Sequence, residues 1–148
     1  MRTTFPTTDA ELAAQLRLAI TRMARRLRQE AGTGGETSPT MTAALATIER
    51  SGPLTPSALA QAERIQRPTA TRVVAKLEAA GLVTRAADPL DGRVAYVAIT
   101  AQGRALLKRI RTRKNHYLAQ RLRRLDAAEL ATLAQAAELL ERLLAEPA

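Results

Sequence analysis

The chain contains no cysteine, which excludes disulfides, thiol redox sensing, cysteine nucleophiles and thiolate zinc sites together. A single histidine, His116, is too few for a multi-histidine metal site or a histidine-pair proton relay. Tryptophan is absent, and one Phe and two Tyr are the only aromatic residues. The core is therefore expected to be Leu, Val, Ile and Ala, which suits packed helices better than a β-sandwich. No apolar run approaches the roughly 18 residues of a membrane span, and the N-terminus lacks the apolar stretch of a secretory signal. A cytoplasmic location with no membrane association is expected. There is no glycine-rich phosphate loop and no assembled nucleophile–base set, so neither enzymatic activity nor a cofactor or metal is expected.

Positive charge, by contrast, is in excess. The net charge is +9 and the pI near 11.3 over 148 residues, long enough for one domain with a real core. Such a balance points to a polyanionic partner, nucleic acid foremost, which the groove-suited fourth helix narrows to double-stranded DNA. The excess is uneven: residues 1–50 carry 7 basic and 5 acidic groups, residues 51–100 carry 6 and 4, and residues 101–148 carry 10 and 5. No acid occurs from Ala101 to Leu125.

Helical periodicity and stop signals divide the chain. Thr8-Asp9-Ala10-Glu11 has the form of a capping box, and Leu12, Leu16, Ile20, Met23 and Leu27 follow as one apolar stripe. Gly32-Thr33-Gly34-Gly35 ends that helix. Ser38-Pro39 and Thr55-Pro56 both read as a cap followed by proline in the first turn, opening a second helix to Gly52 and a short third one. Ile65 is the expected apolar plug of the turn Glu63–Gln66, before a fourth helix from about Arg67 to Ala80 closed by Gly81. Leu82–Arg85 and Val94–Ile99 are rich in β-branched residues, and Asp88-Pro89-Leu90-Asp91-Gly92 between them is turn chemistry. Thr100 caps a long fifth helix. Asp126-Ala127-Ala128-Glu129 opens a sixth whose Leu130, Leu133, Ala137, Leu140 and Leu144 alternate in steps of three and four.

The fourth helix has one apolar side, with Ala70, Val73, Val74 and Leu77, and one polar side, with Arg67, Thr69, Thr71, Arg72 and Lys76. A buried face opposite a basic, hydroxyl-bearing face suits insertion into a DNA groove. Arg72 and Lys76 lie one turn apart and can face the same groove, where an arginine can bind guanine in a bidentate way. Gln66, Arg67, Pro68 and Thr69 stand at the helix start, where free N–H groups favour phosphate; Pro68 either touches a thymine methyl or simply fixes the turn. Arg93 beyond the turn suits a narrow minor groove, with Asp91 either orienting it or serving as an ordinary turn residue. Capping alone explains Ser38. Arg104 and Lys108 lie near the turn, whereas Arg111, Arg113, Lys114, Arg121, Arg123 and Arg124 are expected to flank an interface and to be answered by Glu11, Glu138 or Glu141.

Three strings carry a resemblance to a known family. Residues 69–83, TATRVVAKLEAAGLV, resemble the recognition-helix segment of MarR-type transcriptional regulators. Asp88-Pro89-Leu90-Asp91-Gly92-Arg93 resembles that family's wing, and Ile99-Thr100-Ala101-Gln102-Gly103 is similar to the Leu-Thr-x-x-Gly that opens its next helix. The order of elements matches over nearly the whole chain, and the resemblance implies that Ser38 and Thr40 on the second helix reach phosphate. The resemblance implies a mainly α fold with a small β-wing: an arm and dimerisation helix in 1–37, a winged helix-turn-helix in 38–100, and linker and dimerisation helices in 101–148. It implies a homodimer paired through residues such as Leu12, Leu16, Ile20, Leu118, Leu122, Leu133, Leu140 and Leu144. It further implies a regulator, commonly a repressor, that binds a pseudo-palindromic operator and often leaves it when a small, frequently aromatic, anionic effector binds. Without cysteine the chain cannot belong to the peroxide-sensing branch, and one histidine argues against the zinc-sensing one. The competing expectation is a non-specific structural DNA-binding protein working through its basic fifth helix.

Overall fold

A computed structural model describes residues 5, 8–32 and 37–147. The expected N-terminal arm, Phe5 apart, and Thr33–Gly35 of the expected helix stop lie outside these. The elements run α1 (Asp9–Ala31), α2 (Pro39–Ser51), α3 (Pro56–Glu63), α4 (Arg67–Ala79), β1 (Val83–Ala87), β2 (Ala95–Ile99), α5 (Ala101–Leu122) and α6 (Ala127–Ala145). The two strands begin one residue later than the sequence suggests, and β1 continues through Ala86 and Ala87, which pair with Tyr96 and Ala95. Cross-strand pairing, not β-propensity, carries the ladder over those alanines.

The caps act as their residue types dictate. Thr8 and Glu11 form a reciprocal capping box at α1, and Asp126 with Glu129 forms another at α6. Ser38, Thr55 and Thr100 each accept the backbone N–H of the residue three further on. Gly32 ends α1 in the left-handed region.

One hydrophobic core joins α2, α3, α4 and the strands to the first half of α5. Leu45, Ile48, Leu59, Val74, Leu77, Val97 and Leu107 are essentially sealed from solvent, and Ala31 at the end of α1 joins them. Leu54 adds a bridge to the edge of β2, exchanging N–H···O bonds with Val97 of 3.1 and 2.8 Å. The two-stranded ribbon thus leans on the helices, as so small a sheet must.

The junction of α4, β1 and α5 is the tightest point of the fold. Leu82 N–H reaches back to Leu77 O and Gly81 N–H to Glu78 O, the paired bonds of a Schellman cap with Gly81 at φ +75°. The Thr100 hydroxyl donates to Gly81 O (2.7 Å), and Thr100 N–H donates to Leu82 O (3.0 Å). A β-carbon on Gly103 would stand 2.3 Å from Leu82 O and 2.7 Å from the Ile99 side chain. That close approach is the physical reason for a glycine three residues after Thr100. Gly103→Ala should destabilise the fold by about 1–3 kcal/mol, because neither backbone nor core can yield freely there. Urea unfolding measures this, and an unchanged midpoint would refute it.

Candidate nucleic-acid interface

α4 presents its two faces as its sequence demands. Ala70, Val73, Val74 and Leu77 are buried, while Arg67, Pro68, Thr71, Arg72 and Lys76 are exposed and Thr69 is half-buried. Arg72 Nη2 stands 3.5 Å from Thr69 Oγ1, so the threonine steadies the arginine against the first turn. The Thr71 hydroxyl donates to Arg67 O (3.0 Å), which occupies its proton and leaves its oxygen as an acceptor.

α4 also differs from its neighbours at its start. Gln66 occupies the N-cap position in extended conformation, yet its side chain makes no capping bond. All the other helices have a side-chain cap. The first N–H groups of α4 therefore lack a side-chain acceptor at the same end where Arg67 stands exposed. Unsatisfied N–H groups and the positive end of the helix dipole favour an anion there.

The turn between the strands is ordered by its own side chains. The Asp88 carboxylate accepts the N–H of Leu90 (2.7 Å) and of Asp91 (3.3 Å). The Leu90 N–H, with the Tyr96 hydroxyl and Asp91 N–H behind it, holds the Asp88 carboxyl below its usual range. The carboxylate in turn pushes the Tyr96 phenol up. Asp91 Oδ1 accepts Arg93 N–H at 3.0 Å, as a turn aspartate does, and lies 3.8 Å from Arg93 Nε. The Arg93 side chain is 96% exposed, projecting from a braced base. Arg85 on β1 pairs with Glu78 on α4 (3.2 Å), joining the strand to the helix.

Ser38 and Thr40 are exposed at the start of α2, with Ser38 Oγ accepting Met41 N–H (3.2 Å). Behind them the buried Thr47 hydroxyl donates to Glu63 Oε1, joining α2 to α3, and Thr47 Oγ1 itself accepts from Arg50 Nη2 at 3.4 Å.

For two cations of α5 the structure corrects the expected partners. Arg111 Nη1 binds Glu49 of α2 at 2.8 Å, not Glu11, Glu138 or Glu141. Arg113 donates to Ala31 O (2.8 Å) and Gly32 O, satisfying carbonyls at the end of α1. Helix periodicity shows which way a side chain points but not which helix packs there, and the antiparallel seating of α1 on α5 decides it. Further along this seam Tyr117 lies between Arg26 and Arg121, 5.6 and 4.9 Å from its ring centre. A hydrogen bond from Arg26 lowers the Tyr117 phenol pKa.

Between α1, α2 and α5 lies a cleft of about 460 Å³. Leu27, Ala46, Leu107 and Ile110 line it, with Thr37 and Thr42, and Arg28, Arg111 and Lys114 stand around it. Sequence reasoning missed these residues as a site, because they come from three helices and share no local spacing. The apolar positions assigned to self-pairing are less covered than core residues. Leu12, Leu16, Ile20, Leu133 and Leu144 are exposed, Leu118, Leu122 and Leu140 half-buried, and α6 buries no residue at all. Among the described residues no group of acids and histidine is arranged to hold a metal ion, and no helix is long and apolar enough to cross a membrane.

Comparison with known proteins agrees with this fold. The profile described as "MarR family" matches residues 37–95, from the start of α2 into β2. An HTH-type transcriptional regulator of Mycobacterium bovis is 39% identical over 138 residues, covering 93% of this chain and 96% of the relative. The crystal structure of a transcriptional regulator protein from Pseudomonas aeruginosa superposes with a TM-score of 0.83 at 36% identity, covering 96% of this chain and 100% of that one. A protein of the same family from Bacillus stearothermophilus shares the fold at 23% identity, with a TM-score of 0.80 over 93% and 95% of the two chains.

Proposed function

The chain belongs to the MarR family of winged helix-turn-helix transcriptional regulators, and we propose that it is a cytoplasmic repressor that binds a pseudo-palindromic operator as a homodimer. The observation that carries this reading is the start of α4. It is uncapped, with Arg67 and Arg72 exposed on the first turns, and the far end of the helix is tied through Glu78 and Arg85 to the strand that leads to Arg93. Phosphates would meet the free N–H groups and Arg67, base edges Arg72 and Lys76, and the minor groove Arg93. Two-fold pairing through α1, α5 and α6 would cover their exposed leucines and place two such readers about one helical turn of DNA apart.

The cleft between α1, α2 and α5 supports an effector. Arg28 and Lys114 are cations without an ion-pair partner among the described residues, whereas Arg111 is answered by Glu49. A small anion would neutralise them while its apolar part met Leu27 and Ile110. Among the described residues no aromatic side chain lines the cleft, so charge and shape would select the ligand, aromatic or not. Seating it would wedge α2 against α5 and so alter the reader's setting.

Selection of bound duplexes from a random pool tests the reading. It should enrich half-sites about 10 bp apart, with an affinity that falls steeply with salt. Equal binding to a scrambled site would favour the alternative, non-specific coating through α5. That alternative is weakened by the engagement of Arg111 and Arg113 within the fold. It predicts that Arg121→Ala weakens binding as much as Arg72→Ala does.

A further inference from the structure

We infer that Arg64, in the turn between α3 and α4, is a phosphate contact of the DNA interface, kept there at the expense of local backbone preference. The inference rests on the proposed reading of α4 and adds a residue to it. Arg64 adopts φ 52°, ψ 44°, and among the described residues it is the one non-glycine with positive φ. In this region an L-residue's β-carbon crowds the following carbonyl, so glycine is favoured, and asparagine or aspartate when their short side chains bond locally. Arginine has no such local compensation.

The turn itself needs this conformation. It lets Arg64 N–H bond Gln61 O (3.2 Å) and Ile65 N–H bond Ala60 O (3.0 Å), closing α3 and dropping the half-buried Ile65 against the body. Nothing among the described residues needs the guanidinium. Arg64 is exposed, and its side chain has no hydrogen bond, ion pair or ring contact among the described residues. A strained residue without an internal partner is best explained by an external one.

The position names that partner. Arg64 stands two residues before Gln66 and three before Arg67, beside the uncapped start of α4. Three residues of chain span at most about 10 Å, so its guanidinium reaches the backbone strand that borders the groove entered by α4. From the turn, outside the helix that enters the groove, it meets phosphate rather than base edges. Its contribution should therefore be insensitive to sequence.

The test is Arg64→Gly, with Arg64→Lys as a charge-preserving control, measured for thermal midpoint and for operator affinity across a salt series. Arg64→Gly should raise Tm by about 1–4 °C through relief of the backbone. The same variant should weaken binding about tenfold per subunit near 0.1 M salt and lower the slope of log K against log salt by about 0.9 per subunit. Arg64→Lys should keep the wild-type slope, and operator preference over random DNA should survive in both variants. Wild-type affinity and slope in Arg64→Gly would overturn the contact. A fall in Tm would overturn the strain, and lost operator preference would overturn the assignment to phosphate. Arg72→Ala measured beside them separates the levels. If it too binds like wild type, the α4 interface itself fails, whereas if it alone weakens binding, only the inference about Arg64 fails.

Discussion

Arg72→Ala should weaken operator binding by roughly ten- to a hundredfold per half-site, and by about the square of that for the dimer. Arg72 is exposed on the first turns of α4, on the face opposite Val73 and Val74, and Thr69 restricts its motion. Removing it leaves the fold intact, because its side chain contributes nothing to the core. The loss should fall on the specific site much more than on random DNA, since a bidentate base contact carries the discrimination and a phosphate contact does not. Gel shifts on operator and scrambled duplexes measure both. An equal loss on the two would remove Arg72 from the base edges and make it a backbone contact. Thr69→Ala should reproduce a fraction of the effect through loss of positioning.

The second large effect concerns pairing. Leu133→Asp should convert the protein to a monomer and abolish high-affinity operator binding. In the single chain Leu133 is 47% exposed, so a carboxylate there costs the folded subunit little. In a two-fold pair the same position would be covered twice, once from each chain. Losing about 2 kcal/mol or more of burial at each copy raises the dimer dissociation constant by at least about a thousandfold, before the cost of burying charge. Sedimentation or light scattering reads the mass, and gel shift reads the affinity, which should fall to that of a single half-site. A monomeric wild-type protein, or a variant that pairs normally, would dismiss α6 as the pairing surface.

Legibility in the sequence followed locality. Caps, helix stops and the two faces of α4 depend on residues a few positions apart, and Thr8, Ser38, Thr55, Thr100 and Asp126 all act as their types suggest. The wing turn was legible for the same reason, since Asp88 and Asp91 bond N–H groups two or three residues away. Partners far apart in sequence were not legible. Arg111 finds Glu49 and Arg113 finds the end of α1 across separations of 62 and 82 residues, and no spacing rule encodes these. The cleft was hidden for that reason too. Arg64 was hidden for another: a positive φ at a non-glycine leaves no trace in composition or periodicity, only a missing glycine in a tight turn.

α5 runs unbroken from Ala101, beside the wing, to Leu122. At 1.5 Å per residue that is about 33 Å of stiff rod. Its near end is fastened to the reader by Thr100 and Gly103, and its middle is fastened to α1 and α2 by Arg113 and Arg111. Such a rod acts as a lever. A tilt of about 11° about that fastened middle, about 18 Å from the near end, displaces the near end by about 3.4 Å, the rise of one base pair. On the proposed reading, a disturbance at the α1 seam too small to disrupt any helix would be enough to put the reader out of register with its half-site by one base-pair step.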